Sequence, residues 1–242
     1  MSERGQAIMI WWGLAFTLIF GTTMWTLLHM VTPPSPTLTP LEVAAFYIEN
    51  AFQIKLGATI CSWTSAFMVP ISVVVAVQMA RIEQGRVPIW SILAFAGGIL
   101  MSMFLVFPPI LWGIAAFNPA RLPEATALIN EMANLTLTTT DQFFIFQMIA
   151  ITYVSLTQKP VANSAFPRWF GWFNLWIAIM FEVGALAFMF KAGPFAWNGL
   201  FVFWFPFLGF GLWIGVMSFV ILRALKGQAA SKDSDVTESV HP

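Results

Sequence analysis

One carboxylate, that of Glu182, lies deep inside an apolar stretch that runs from residue 169 to residue 191. A charge at the centre of a lipid bilayer costs about 3 kcal/mol on insertion scales, so this side chain needs a partner, a water-filled cavity or a proton. No lysine, arginine or histidine stands near the middle of a long apolar stretch, and we therefore expect the neutral carboxyl. It could anchor a ligand, couple to proton movement, or contact a neighbouring helix or subunit.

The helical neighbours of Glu182 indicate how its carboxyl should be placed. Ala178 and Ala185 share its face at helical spacing, and small residues allow another helix to approach closely. This face is therefore expected to pack inward. Asn174 lies two turns before Glu182, and we expect the two side chains to be joined through a water.

Aromatic residues and prolines inside the apolar stretches favour a site for a hydrophobic molecule. Several aromatic side chains lie well within their stretches and could line such a site. They are Trp63, Trp176, Trp204, Phe205 and Phe207. Packing against the core or against lipid is the simpler explanation of such side chains. Pro70 frees a backbone carbonyl one turn earlier, and Ser65 is one of the hydroxyls that could satisfy it. A bent helix fitted to its neighbours is the alternative interpretation.

Three further polar residues are expected on the outer side of the membrane. His29 closes the first apolar stretch, and Glu49 and Gln53 precede the second. Together they are candidates for an outer vestibule, in which the imidazole could bind a ligand or carry a proton. An interfacial histidine is otherwise hydrated and structural.

The composition excludes several functional classes. Hydrophobic residues make up 59% of the 242 residues and charged residues only 9%, against about 25% charged in soluble domains, so lipid must be the main solvent. Two histidines and one cysteine are too few for the clustered ligands of a haem, copper or di-iron site. We therefore expect no metal, no cofactor and no catalytic residue. The net charge of zero gives no reason to expect nucleic acid.

The apolar pattern predicts an all-α integral membrane protein with six transmembrane helices. They belong to one membrane domain, residues 1–226, and the small polar residues from 227 to 242 predict a disordered cytoplasmic tail. The fourth of the predicted spans is the shortest. The spans cover residues 8–31, 55–80, 89–117, 141–157, 169–191 and 198–223.

Two short amphipathic helices are expected on the outer face. Residues 39–42, Thr-Pro-Leu-Glu, have the form of a capping box with proline in the first turn, and the helix that they open leads into the second span. A second helix is predicted over 122–134. In both helices an apolar stripe lies apart from the acidic side chains, which is typical of helices in a membrane interface.

The distribution of lysine and arginine predicts the side on which each loop lies. With six spans, eight of the 11 basic residues fall on the side that holds both termini, and three fall on the other side. The positive-inside rule then places the N- and C-termini in the cytoplasm. The first apolar run is longer than the core of a cleaved signal peptide, and the short loops suit a bacterial inner membrane.

Three functions agree with these features. The leading hypothesis is a non-catalytic membrane protein that binds or moves a hydrophobic small molecule or lipid. The alternatives are a proton-coupled secondary transporter that uses Glu182, and a structural subunit of a larger membrane complex. The expected partners are membrane lipids, an apolar ligand, and either a second copy of the chain or other subunits.

Overall fold

The computed structural model describes residues 2–83, 87–159 and 161–240, and within them all regular structure is helical. Three short 3-10 segments, Ser65–Phe67, Asp141–Phe143 and Glu182–Phe188, and one π-helix, Leu200–Trp204, separate or extend the longer elements. The α-helices are α1 (Glu3–Thr26), α2 (Pro40–Glu49), α3 (Ala51–Thr64), α4 (Met68–Glu83), α5 (Ile89–Phe117), α6 (Pro123–Thr139), α7 (Phe144–Thr157), α8 (Arg168–Phe181) and α9 (Phe205–Val240).

Five helical segments of the described chain are long and apolar enough to cross a membrane. They correspond to five of the six predicted spans, and the structure agrees with a helical membrane protein. The span predicted over 141–157 forms α7, whose 14 residues extend about 21 Å at about 1.5 Å per residue, against a bilayer core of about 30 Å. The five segments are Glu3–Thr26, Ala51–Glu83, Ile89–Phe117, Arg168–Phe188 and Leu200–Lys232.

Different polar clusters mark the two ends of the bundle. At one end Gln78 of α4 donates a hydrogen bond of 2.7 Å to Gln6 of α1, and Gln228 of α9 donates one of 2.9 Å to Gln78. All three side chains are buried, and we name this the glutamine end. At the opposite end the Tyr47 hydroxyl of α2 donates a hydrogen bond of 2.8 Å to the side chain of Asn130 on α6. This is the α2–α6 end.

These two clusters define the path of the chain. Since α1, α4 and α9 meet at the glutamine end, the first and last helices lie beside each other, and Glu3 forms an ion pair with Lys232. α7 begins after α6 and leads to Asn163, whose backbone carbonyl accepts a hydrogen bond of 2.9 Å from Gln228. α7 therefore returns the chain to the glutamine end, although it is too short to meet the length expected of a span.

A proline accompanies the kink between α3 and α4. Ala66, between α3 and α4, has non-helical backbone angles (φ −83°, ψ 21°). Pro70 has no N–H to donate to the Ala66 carbonyl one turn earlier, which is the usual cause of such a kink. Pro108 and Pro109, in contrast, lie inside α5, which continues from Ile89 to Phe117.

The capping box predicted at residues 39–42 is confirmed. The Glu42 N–H donates to the Thr39 hydroxyl over 3.4 Å, and the Thr39 N–H donates to the Glu42 carboxylate over 2.8 Å. α2 then runs from Pro40 to Glu49, and Leu41 and Ile48 on its predicted apolar stripe are exposed.

The apolar stripe of α6 faces away from the bundle. It runs from Pro123 to Thr139, past the predicted end at residue 134. Leu122, Leu128 and Met132 are exposed, whereas polar side chains face the bundle. This arrangement is expected where the surroundings are apolar, because polar groups then find hydrogen-bond partners only inside the protein. The buried polar stripe of α6 consists of Thr126, Asn130, Asn134 and Thr138.

α9 continues past residue 227, where the sequence predicts a disordered tail. The helix extends to Val240, and Gln228 is only 6% exposed because it bonds to Gln78 and to the Asn163 carbonyl. These contacts are made to distant parts of the chain, so the local composition does not indicate them. Residues 241 and 242 of the predicted tail lie outside the described residues.

Candidate functional site

A cavity of about 400 Å³ lies between α1, α5, α6 and α9. Its wall uses the second half of α1, the C-terminal end of α6 and the first turns of α9, so it lies in the half of the bundle nearer the α2–α6 end. Most of its lining is aromatic, and we name it the phenylalanine cavity. The aromatic side chains that line it are Phe20, Phe67, Phe104, Phe181, Phe203, Phe207 and Phe210.

Phe210 of α9 connects several of these rings. Its centroid lies 6.1 Å from the centroids of both Phe67 and Phe104. Behind it, the fully buried ring of Phe144 on α7 lies 4.9 Å from Phe210 and 4.9 Å from Phe181. Edge-to-face and stacked pairs of this kind add about 0.5–1.5 kcal/mol each beyond the burial of their area. The wall is therefore a connected aromatic layer fixed by rings from α5, α7, α8 and α9.

The wall on the side of α9 begins in the π-helix Leu200–Trp204. Val202 and Phe203 of this segment line the cavity, as does Pro206 just after it. The rings of Phe203 and Phe207 stack at 5.5 Å with an interplanar angle of 8°. π-helical turns are rare and occur often at functional sites. Here the turn and the proline place Phe203 and Phe207 together on the cavity wall.

The cavity opens to the surroundings of the bundle beside α1 and α9. Leu208 and Leu212 line it and are 60% and 54% exposed. Gly21 of α1 and Gly211 of α9 also line it, and a Cβ added at either position would meet no heavy atom within 4 Å. The opening is therefore on the side of the bundle rather than at one of its ends.

The polar groups of the lining are few. Among the described lining residues none is ionisable, and the only side-chain hydroxyls are those of Thr17 and Thr138. The Thr17 hydroxyl donates to the Gly13 carbonyl over 2.8 Å, and the Thr138 hydroxyl donates to the Asn134 carbonyl over 3.1 Å. Each has used its proton within its own helix and presents only lone pairs to the cavity.

The structure places Glu182 on the outside of the bundle. Its side chain is exposed, and it has neither a hydrogen bond nor an ion pair with any residue that the structure describes. Ile179, one turn earlier, is also exposed. The inward orientation expected for this face is therefore wrong at Glu182 and Ala185, although Ala178 on the same face is buried. α8 ends at Phe181 and the chain continues as a 3-10 segment, so Phe181 lines the cavity and Glu182 points away.

Asn174 is buried, but it does not pair with Glu182. Its side-chain oxygen accepts a hydrogen bond of 2.8 Å from the Trp213 indole, and its amide donates one of 2.8 Å to the Phe170 carbonyl. The bond from Trp213 joins α8 to α9 behind Phe210, whose ring stacks on Trp213 at 6.3 Å. Asn174 therefore supports the wall of the cavity from outside it.

The other residues predicted for the ligand site do not line the cavity. Trp63 and Trp176 are 73% and 55% exposed on the outside of the bundle. Trp204 is half-buried and packs its ring 5.4 Å from that of Phe203. Ser65 is buried, and its hydroxyl has no hydrogen-bond partner among the described residues.

The three residues predicted for an outer vestibule are all exposed. His29 follows α1 with a positive φ of 56°, Glu49 ends α2, and Gln53 lies in the first turn of α3. No hydrogen bond joins the three side chains in the part of the chain that is described. A vestibule role for them stays a prediction.

Of the phenylalanines that line the cavity, sequence reasoning identified Phe207 and missed the others. Five phenylalanines occur within residues 201–210, and this local density is the signal that could have directed attention to the start of α9. No family model, curated protein or solved structure matches this chain. The phenylalanine cavity, its side opening and its two hydroxyls are therefore the basis for a functional interpretation.

Proposed function

We propose that this protein binds a hydrophobic small molecule or a lipid in the phenylalanine cavity, without catalysis. The observation that carries the proposal is the cavity of about 400 Å³ with an almost entirely apolar lining. That volume lies within the range of about 300–1,000 Å³ typical of small-molecule sites. The absence of ionisable groups among the described lining residues favours simple binding over acid–base chemistry.

The energetic cost of an empty cavity supports an occupant. At about 24 cal/mol per Å³ of unfilled volume, a cavity of about 400 Å³ would cost on the order of 10 kcal/mol. This equals the whole net stability of a typical folded domain, about 5–15 kcal/mol. A lipid chain or a dedicated ligand that fills the space removes most of this cost.

The proposed setting is a bacterial inner membrane, with α7 as a short sixth span and both termini in the cytoplasm. The excess of basic residues on the side of the termini supports this orientation. The exposed apolar stripes of α2 and α6 support their assignment as helices that lie in the membrane interface on its outer side. In this setting the side opening faces lipid, and a hydrophobic ligand enters from the bilayer.

Filling the opening tests the proposal. Gly211 lines the cavity, whereas Gly215, one turn later on the same helix, does not. A Cβ at either position meets no heavy atom within 4 Å, so Gly215→Leu is a matched control for Gly211→Leu. The full chain in lipid nanodiscs would be equilibrated with dodecane, and bound dodecane would be measured by native mass spectrometry. We expect Gly211→Leu, combined with Gly21→Leu, to reduce retention at least fivefold.

The same measurement can refute the proposal. Gly215→Leu should retain dodecane as the unmodified chain does. No retention of dodecane by the unmodified chain, together with no co-purifying organic molecule after gentle extraction, would contradict ligand binding in this cavity.

A structural subunit is the second candidate, and the exposure of Glu182 favours it. A carboxyl on the outside of an apolar helix, without a partner among the described residues, is costly in lipid. A contact with another subunit, or with a second copy of this chain, would cover it. The proton-coupled transporter would also use Glu182, but that carboxyl does not line the cavity.

Replacing Glu182 distinguishes these alternatives. If the carboxyl forms a subunit contact, Glu182→Leu lowers the oligomeric state or releases a co-purifying partner, and Glu182→Gln preserves it through the amide. If the carboxyl carries a transported proton, Glu182→Gln removes the pH dependence of uptake into liposomes. Dodecane retention should not change in either variant, because the cavity wall is intact.

A further inference from the structure

We propose that the ligand of the phenylalanine cavity is an uncharged amphiphile whose polar group donates a hydrogen bond, as a hydroxyl does, and that Thr138 accepts that bond. This inference rests on the proposed binding function and adds the chemical class of the ligand. It depends on the hydrogen bonds that the lining residues have already formed.

Hydrophobicity alone cannot select a ligand that arrives from a membrane. Lipid chains are as apolar as the cavity wall, so transfer from lipid into the cavity gains little from the hydrophobic effect. Selection must come from the shape of the site and from its few polar groups. The charge and the hydrogen-bonding capacity of the lining therefore determine which ligand is preferred.

The charge of the ligand follows from the lining. Since none of the described lining residues is ionisable, a charged group inside the cavity would be desolvated without a counter-charge. Such desolvation is costly even after the protein has relaxed around the ion. Fatty-acid anions and amines are therefore disfavoured relative to neutral molecules of the same length.

The direction of the hydrogen bond follows from the two lining hydroxyls. Thr17 donates to the Gly13 carbonyl and Thr138 to the Asn134 carbonyl, and a hydroxyl has only one proton to donate. Each can therefore accept a hydrogen bond but cannot donate a second one. A ketone, ester or ether would find no donor on either side chain, whereas an alcohol would find an acceptor.

Thr138 is the better placed of the two hydroxyls. It lines the cavity and is only 4% exposed, whereas Thr17 is only partly buried. One turn away on the same stripe of α6, the Asn134 side-chain oxygen is buried and has no hydrogen-bond partner in the described part of the chain. Asn134 does not itself line the cavity, so Thr138 is the acceptor on α6 that a ligand can reach.

The size of the cavity suggests probes of suitable length. A methylene group occupies about the volume of a water molecule, roughly 30 Å³, so about 400 Å³ holds on the order of a dozen carbon atoms. Dodecanol, methyl dodecyl ether and dodecane differ mainly at one end. They present a donor, an acceptor and no polar group, respectively.

The test is a competition among these probes for the full chain in lipid nanodiscs, read by native mass spectrometry. We expect dodecanol to be retained about fivefold better than methyl dodecyl ether, which corresponds to one net hydrogen bond. Thr138→Val should abolish this preference without reducing dodecane retention. Thr138→Ser should keep it because the hydroxyl is kept, and Thr17→Val is the matched control that should also keep it.

The outcomes separate the two proposals. Equal retention of dodecanol and the ether by the unmodified chain, or loss of the preference in Thr17→Val alone, would overturn the assignment of Thr138 while leaving ligand binding intact. Retention of none of the three probes would refute the proposed function itself. If Thr138→Val does not fold, comparing the probes on the unmodified chain and on Thr138→Ser still tests whether a ligand that donates a hydrogen bond is preferred.

Discussion

The indole of Trp213 donates a hydrogen bond of 2.8 Å to the side-chain oxygen of Asn174, and both residues are fully buried. This bond joins α8 to α9 behind the aromatic wall of the cavity. Because Phe210 stacks on Trp213, this bond also helps to fix the ring of Phe210, which lines the phenylalanine cavity. The wall is thus held by a polar contact that no ligand touches.

Asn174→Leu should destabilise the protein by about 0.5–2 kcal/mol, since hydrogen bonds between membrane helices average about 0.6 and reach about 1.7 kcal/mol. The indole N–H would be left buried without an acceptor. Thermal unfolding in detergent would measure the loss. Trp213→Phe completes a double-mutant cycle, in which the two changes should be non-additive. Strict additivity would show that the bond contributes no coupling.

Gly97→Ala should destabilise the contact between α5 and α7. A Cβ at Gly97 would lie 2.6 Å from the backbone nitrogen of Gln147, and a backbone atom cannot move aside as a flexible side chain can. Overpacking of this kind costs about 1–3 kcal/mol. Gly215→Ala is the control, because its Cβ meets no atom within 4 Å, and it should be neutral or gain up to about 1 kcal/mol in helix propensity. Equal midpoints of thermal unfolding for both variants would contradict this packing.

Gln78→Leu should be more damaging than the loss of a surface ion pair at the same end. Gln78 is 1% exposed and bonds to both Gln6 and Gln228, so its replacement leaves two buried amides with fewer partners, at about 1–3 kcal/mol. Lys232→Ala removes only an exposed pair with Glu3, which is worth about 0–1 kcal/mol. Limited proteolysis of α9 would report the difference, and similar cleavage rates in both variants would count against a structural role for the glutamines.

The stability of α2 should decrease at low pH. Hydrogen bonds from the Thr39 backbone N–H and hydroxyl hold the pKa of Glu42 below its ordinary value. A carboxyl whose pKa is lower in the folded than in the unfolded state contributes stability above the unfolded pKa of about 4.3, and this is lost as the pH falls through the folded pKa. The unfolding midpoint should therefore fall between about pH 5 and about pH 3, and fall less in Glu42→Gln.

Glu49→Gln is the control for this pH experiment. Glu49 lies on the same helix, is exposed, and has no hydrogen bond within the described residues. In Glu49→Gln the unfolding midpoint should depend on pH as it does in the unmodified chain. A profile that is flattened as much by Glu49→Gln as by Glu42→Gln would show that the effect is not specific to the capping box.

Local features of the fold were predictable from the sequence because they depend on neighbouring residues. The capping box at Thr39 and Glu42 is confirmed since both partners lie within one turn. Five apolar stretches could be recognised by length alone. The inner face of each helix could not be predicted in this way. In an apolar solvent both faces of a helix are apolar, so hydrophobic periodicity does not distinguish the buried face from the exposed one.

Buried polar residues carry the information that hydrophobicity lacks here. Ser72, Gln78 and Gln147 are each less than 2% exposed, and each marks the inner face of its helix. Glu182 breaks this pattern, since it is polar and yet exposed, and sequence reasoning therefore oriented it inward. The phenylalanine cavity was missed for a related reason, because its wall is assembled from residues as distant as Phe20 and Phe210.

The glutamine end has a consequence for how the protein is made. Gln6 pairs with Gln78, and Gln78 in turn accepts a hydrogen bond from Gln228, which is synthesised 150 residues after Gln78. The side of α1 that packs against α9 is therefore uncovered until α9 has been inserted. Without α9, the rings that α1 and α5 contribute to the phenylalanine cavity would be uncovered on the side where the cavity opens.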